Sequence, residues 1–254
     1  MFKIKIDPEQ CIGCGLCVND CLTHDIELRD GNVIPLRQNC FKCGHCIAIC
    51  PQNAVSLEDG DMSEIKDYKE ESFTINPEIF LNVVKFRRSV RHYQDKEVEQ
   101  EKIEKIIEAG RYTETASNRQ GVSYIVVQKE IPKLRELAKK QLKTLIDSGY
   151  NSAGLNLDEG DFLFRYAPVL ILTVSNSKVD AGLAASNMEL MAVTQELGAF
   201  FIGFFVRIAN KDPEIRELLE MKPDDQIITC MAVGYPKVKY YRTVPRKKAQ
   251  VRWK

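Results

Sequence analysis

Eight of the nine cysteines in this 254-residue chain fall within its first fifty positions, in two runs that share the spacing CxxCxxCxxxC. The first run is Cys11, Cys14, Cys17 and Cys21; the second is Cys40, Cys43, Cys46 and Cys50. Three thiolates at steps of three on a tight loop, with a fourth a few residues on, are the pattern that holds a 4Fe–4S cube. In chains with two such runs the fourth cysteine of each ligates the other run's cluster. That rule predicts one cluster on Cys11, Cys14, Cys17 and Cys50, and a second on Cys40, Cys43, Cys46 and Cys21.

The neighbouring residues agree. Gly13, Gly15 and Gly44 sit beside ligands, where backbone wrapped around an inorganic core needs conformations that other residues disfavour. Pro51 follows Cys50, whereas Leu22 follows Cys21, so only the turn after the first run departs from a CP ending. A disulfide framework would suit a secreted chain, but the start MFKIKIDPEQ has no apolar stretch behind a basic end, and no signal peptide is expected. Zinc is the stronger rival, although its sulfur sites use two CxxC pairs separated by a longer spacer. Residues 1–60 resemble the bacterial two-cluster ferredoxins, in which the position of His45 is not a ligand. Reduced, metal-binding cysteines imply a cytoplasmic location.

Arg87, Arg88, Ser89 and Arg91 form a second compact group. Guanidinium forks match phosphate oxygens two at a time, and a serine hydroxyl adds a neutral donor. A basic string alone is as easily a solvated face, but this one has company. TASNRQ brings Asn118 and Gln120 in front of an apolar run, and side-chain amides donate and accept at once, which suits the mixed edge of a flavin ring. Gly203, in FFIGFF, lets backbone approach an aromatic cofactor closely. PRKK supplies Arg246 and Lys247 as further phosphate ligands. His92 reads as a structural group on the phosphate side, and no proton donor is assigned.

Rigid elements must hold these groups. The charged, aperiodic stretch 61–75 reads as a linker between a first domain, 1–60, and a second, 76–254. Pro77 opens the helix PEIFLNVVKF with Asn76 as its N-cap. Ile103, Ile106 and Ile107 mark an amphipathic helix ended by Gly110, and Leu134, Leu137, Leu142 and Ile146 place another across 132–147. SYIVVQ and APVLILTVS read as strands. The stretch 148–166, rich in Gly, Asn and Asp, reads as a surface excursion, with an active-site lid as the sharper alternative. The helix at 180–198 carries only Asp180, Glu189 and Glu196 as charges, which predicts burial on most sides. AFFIGFFV reads as one strand, DPEIRELLEM as a short helix, and QIITCMAVGYP as a last strand in which Cys230 is an inert buried thiol. Apolar strands covered on both faces predict an α+β fold, with a small N-terminal two-cluster domain followed by one central sheet flanked by helices.

Length favours two domains, and a module as small as 1–60 needs metal ligation for stability. The net charge is zero, divided as −3 over residues 1–60 and +3 over the rest. Residues 226–254 hold eight Lys or Arg and no acid. With so few aromatics among them, this tail reads as a local anion site and not as a nucleic-acid surface. No run of eighteen apolar residues exists, so no membrane span is expected.

Taken in order, RRSVR, SNRQ before a strand, the helix DAGLAASN to ELG, a strand ending IG, and GYP before a basic tail with PR resemble the nitroreductase family of FMN enzymes over residues 77–254. The resemblance implies that Arg87, Arg88, Ser89 and Arg91 bind the phosphate and ribityl end of FMN. It implies that Asn118 and Gln120 face the ring or ribityl chain, that backbone near Gly203 lies by the reactive N5 edge, and that Arg246 and Lys247 return to the phosphate. It also implies a homodimer with FMN at the interface. Two departures bear on substrate shape and N5 contacts: Gly121 and Val122 follow Gln120 where family members often read PW, and no glutamate accompanies Gly203. Clusters exchange single electrons, while a flavin takes two singly and releases them as a pair. The expected activity is therefore an FMN- and iron–sulfur-dependent oxidoreductase that passes electrons through two 4Fe–4S clusters to FMN and reduces a small planar acceptor, such as a nitroaromatic, quinone or enone. No GxGxxG follows a strand, so reduced ferredoxin or flavodoxin stands beside NAD(P)H as donor. A non-catalytic iron–sulfur and flavin electron carrier is the alternative from another class, and a zinc-stabilised regulatory module is a third.

Overall fold

The computed structural model describes residues 4–149 and 160–254. The chain divides into two units, Met1–Thr74 with Thr115–Arg119, and Ile75–Glu114 with Gln120–Lys254. In the first unit β1 (Ile4–Ile6) pairs antiparallel with β4 (Val55–Leu57), and β2 (Ile26–Arg29) with β3 (Asn32–Pro35). Single helical turns, α1 (Leu16–Asn19) and α2 (His45–Ala48), carry Cys17 and Cys46. Each turn starts from a glycine in the left-handed region, Gly15 at φ 73° and Gly44 at φ 74°, where a Cβ would crowd the following carbonyl. The two halves repeat at one offset. Gly15 answers Gly44, Cys17 answers Cys46, His24 at φ 52° answers Asn53 at φ 53°, and β2 and β4 start at matching positions. The apolar core around the sulfurs is small, with Ile4, Ile26, Val33 and Val55 buried, and a core of this size does not hold a domain without help.

The stretch expected as a plain linker has local structure. A 3-10 turn at Met62–Glu64 is capped by Asp61, whose side chain accepts from Ser63 N, and α3 (Glu70–Phe73) adds one α-helical turn. No residue of either turn is buried.

The second unit begins with α4 (Pro77–Phe86), and Asn76 caps it as predicted, its side chain accepting from Glu78 N and Ile79 N. There follow α5 (Gln100–Arg111), β5 (Ser123–Val127), α6 (Ile131–Asp147), β6 (Val169–Val174), α7 (Lys178–Thr194), β7 (Gly198–Phe201), α8 (Gly203–Ala209), α9 (Pro213–Leu218) and β8 (Ile227–Gly234). The strands form one antiparallel sheet in the order β5-β6-β8-β7. All six residues of β6 are buried, because both faces of the sheet are covered. Val169 and Ile171 pack with Ile103, Ile106, Met188 and Ala192 of α5 and α7. Leu170, Leu172 and Val174 point the other way and pack with Leu134, Leu142, Phe205, Ile208 and Ile215 of α6, α8 and α9. The α+β expectation of a central sheet flanked by helices is what the second unit shows.

Four expectations about the second unit are corrected. AFFIGFFV is not one strand: β7 ends at Phe201, and α8 buries Phe205, Ile208 and Ala209 on one helical face. Gly110 does not end α5 but lies inside it, where a Cβ would stand 2.7 Å from Tyr124 Oη and 2.8 Å from Met188 Sδ, so the glycine permits close packing. The helix expected to be buried on most sides buries one stripe, including Ala181, Ala184, Met188 and Ala192, and leaves Val179 and Leu183 exposed. In the stretch 148–166, Phe162, Leu163 and Phe164 are core residues and not surface, while residues 150–159, on which most of the lid alternative falls, lie outside the described residues.

Candidate cofactor sites

In the first unit Cys11, Cys14 and Cys17 line one cavity together with Cys50, which arrives from the opposite run. This is the crossed grouping that the spacing rule predicts. Cys21 and Cys43 lie close enough to Cys40 and Cys46 to act on both electrostatically. Burial pushes the Cys46 thiol up to about 11, and the neighbouring thiols of Cys40 and Cys43 act in the same direction. Burial also raises Cys40, with further upward pushes from Asp25, Cys43 and Cys21. Sulfurs held this way stay protonated without a cation, and ligated iron reverses that, since a coordinating thiol is deprotonated outright. Backbone donors are in place for the sulfurs: Asp25 N reaches Cys21 Sγ at 3.3 Å, Ala54 N reaches Cys50 Sγ at 3.3 Å, and Lys42 N reaches Cys40 Sγ at 3.4 Å. All nine cysteines are free of disulfides. Among the described residues no three His, Cys, Asp or Glu side chains converge as a single metal ion would require. Walls of four thiols around a cavity, with amide donors to sulfur, fit a polynuclear cluster. His45 Nδ1 sits 3.1 Å from Asp20 Oδ2 and so links the two helical turns.

In the second unit a cavity of about 450 Å3 is lined by Arg87, Arg88 and Arg246 with Lys85, Val84, Thr243 and Val244, a volume within the range of small-ligand sites. The end of α4 and the basic tail meet here, so two of the sequence's basic clusters line one cavity. Arg88 is fixed by its own backbone surroundings: Nη1 donates to Arg87 O at 2.6 Å and Nη2 to Lys85 O at 2.9 Å. Its Nε–H is buried with no partner among the described residues. A buried donor left unpaired is costly, and an anionic oxygen in the cavity would satisfy it. Arg87 divides its role, because Nη1 donates to Glu189 Oε1 on α7 at 2.9 Å.

The remaining expected residues lie elsewhere. Ser89 bridges to Ala199 at the edge of the sheet, and Arg91 lies over the Phe200 ring at 5.9 Å from its centroid. Gly203 is exposed at the first turn of α8, and Gln120 and Lys247 are exposed. Asn118 belongs to the first unit, where its Nδ2 donates to Lys42 O at 2.8 Å and Phe41 O at 3.2 Å, between Cys40 and Cys43. Sequence reasoning missed Lys85 and Thr243 in the cavity and the Glu189 partner. Lys85 carried a signal, since it lies in the last turn of the helix that delivers Arg87 and Arg88.

Comparison with known proteins bears on both units. Residues 84–235 match the Nitroreductase family, and residues 3–51 match a 4Fe-4S dicluster domain. An FMN reductase (NAD(P)H) of Bacillus subtilis is 30% identical over 159 residues, which are 59% of this chain and 62% of that protein. An NADPH-dependent oxidoreductase of Staphylococcus haemolyticus is 26% identical over 173 residues, 61% of this chain and 64% of that one. The chain thus spans less than two thirds of the length of each of these relatives. A nitroreductase with bound FMN from Bacteroides fragilis superposes with a TM-score of 0.58 at 22% identity, over 70% of this chain and 99% of that one, and so shares the fold. With the family match extending over more than half of its residues and a 4Fe–4S dicluster domain ahead of it, this chain belongs to the Nitroreductase family of oxidoreductases.

Proposed function

We propose that this chain binds FMN and two 4Fe–4S clusters, passes electrons through the clusters to FMN, and reduces a small planar organic acceptor, such as a nitroaromatic, quinone or enone. The observation that carries the reading is the basic cavity of Arg87, Arg88 and Arg246, with the unpartnered Arg88 Nε–H, in one chain with a 4Fe–4S dicluster domain. When bound, the clusters supply single-electron storage and the flavin supplies conversion to two-electron chemistry. The chain's own part is positional. Arg88 and Arg246 hold the phosphate, and Ser89, Arg91, Asn118, Gln120, Gly203 and Lys247 remain assigned to FMN on the family resemblance. The eight N-terminal cysteines are the cluster ligands, in the crossed sets given above. Two domains, 1–60 and 76–254 joined by 61–75, divide the work, and unpaired thiols together with thiolate-held iron suit the reducing cytoplasm.

The same reading includes a homodimer with FMN at its interface. Every residue of α4 except Val83 is exposed, among them Ile79 at 63% and Phe80 at 49%. An apolar helix left bare in this way marks a contact surface.

The test is anaerobic purification with iron, acid-labile sulfide and flavin measured per chain, followed by turnover of each acceptor class with NADH, NADPH and reduced ferredoxin. Bound FMN, two clusters' worth of iron and saturable dependence on the acceptor are expected. Absence of flavin removes the reading. Flavin and iron without saturable turnover leave an electron carrier, and zinc in place of iron leaves a regulatory module.

A further inference from the structure

The two halves of the first unit repeat in backbone course around their last cysteines, and one buried position breaks the match in chemistry. Asp25 follows Cys21 at the distance at which Ala54 follows Cys50. Both backbones leave a left-handed residue, both N–H groups donate to the cysteine sulfur at 3.3 Å, and both side chains are buried, at 2% and 3% exposure. One side chain is a methyl group and the other a carboxylate. Asp25 Oδ1 accepts from Gln38 N at 2.7 Å and Asn39 N at 2.9 Å, which fixes the chain just before Cys40. Oδ2 is buried without a partner among the described residues. The carboxylate therefore stands between Cys21 and Cys40, which the spacing rule gives to one cluster. The matching position at the other set is Ala54, which carries no charge.

We propose that Asp25 is a positioning residue that lowers the reduction potential of the cluster held by Cys21, Cys40, Cys43 and Cys46 and so makes the two cluster sites inequivalent. Cluster potentials respond to local charge, to hydrogen bonds on sulfur and to exposure. Exposure is matched, since Cys17 and Cys46 are 7% and 8% exposed. The hydrogen bonds from Asp25 and Ala54 are matched as well. Two extra contacts act in the opposite direction, the Lys42 N–H on Cys40 Sγ and the Thr23 hydroxyl 3.6 Å from Cys21 Sγ, but a whole buried charge outweighs a pair of neutral dipoles. Adding an electron beside the carboxylate is disfavoured, so a single electron rests on the cluster of Cys11, Cys14, Cys17 and Cys50. The proposal rests on the two-cluster reading.

The test is an anaerobic redox titration of the full-length holoprotein, followed by electron paramagnetic resonance, with wild type, Asp25→Asn, Asp25→Ala and Ala54→Asp at equal iron content. Asp25→Asn keeps the shape and removes the charge, while Asp25→Ala installs the residue that already fits the matching position. Each is expected to raise one midpoint by about a tenfold change in its reduction equilibrium, 59 mV for one electron, and to leave the other in place. Ala54→Asp is expected to lower the midpoint that the Asp25 variants leave unmoved. Unchanged midpoints in both Asp25 variants, or equal movement of both clusters, overturn the proposal. Iron for fewer than two clusters in wild type overturns the reading beneath it, and the proposal with it.

Discussion

Arg87 and Arg88 are neighbours in sequence and opposites in role. Arg87 donates to Glu189, whose side chain is 10% exposed, so truncating the arginine strands a nearly buried carboxylate. Breaking a fully buried pair costs about 3–5 kcal/mol; with Arg87 itself 24% exposed, about 2 kcal/mol is expected for Arg87→Met. Urea unfolding of the second unit measures this. Arg246, in the exposed tail, should behave in the reverse way. Arg246→Met leaves unfolding within about 0.5 kcal/mol and weakens FMN retention by about tenfold or more, read by flavin fluorescence on dilution. If Arg87→Met leaves stability unchanged, the pair with Glu189 is not structural. The arginines were legible in the sequence because a run of guanidinium groups is a local signal. The partner of Arg87 was not, because Glu189 lies 102 positions away and only folding brings it near.

At the scale of elements, the bare face of α4 is left unexplained by the single chain's own packing. Asn76 and Pro77 start this helix, but no buried side chain anchors it. Most helical stability comes from packing an apolar face; in the proposed homodimer the partner covers α4, and Val179 and Leu183 of α7 add exposed apolar surface. Phe80→Glu is expected to weaken self-association by at least about tenfold, as burying an unpaired charge costs more than 1.4 kcal/mol. Sedimentation velocity across a dilution series reads the change, and an unaltered dimer fraction would remove α4 from the interface. Element type was legible wherever polar residues punctuated the apolar ones, as in α5 and α6. It failed in AFFIGFFV because an all-apolar run has no period to read, and the division between β7 and α8 is decided by which atoms face the core.

At the scale of the whole molecule, the two units owe their stability to different physics. The second has a sheet covered on both faces by buried side chains, while the first has a handful of apolar residues packed with six of its eight cysteines. Removing iron with a chelator under reducing conditions is expected to abolish amide-exchange protection across residues 4–57 and to leave β6 and β8 protected. Loss of protection in both units together would show one cooperative structure. The sequence by itself determined the fold class, the two cysteine runs and the family, because ligand spacing and amphipathic period are properties of neighbouring residues. Only the tertiary structure decided that Lys85 and Thr243 share a cavity with three arginines, that Asn118 donates into the loop between Cys40 and Cys43, and that one half of the first unit buries a carboxylate where the other buries a methyl group. Burial and hydrogen-bond partnership depend on every segment that packs against a residue, and no local pattern encodes them.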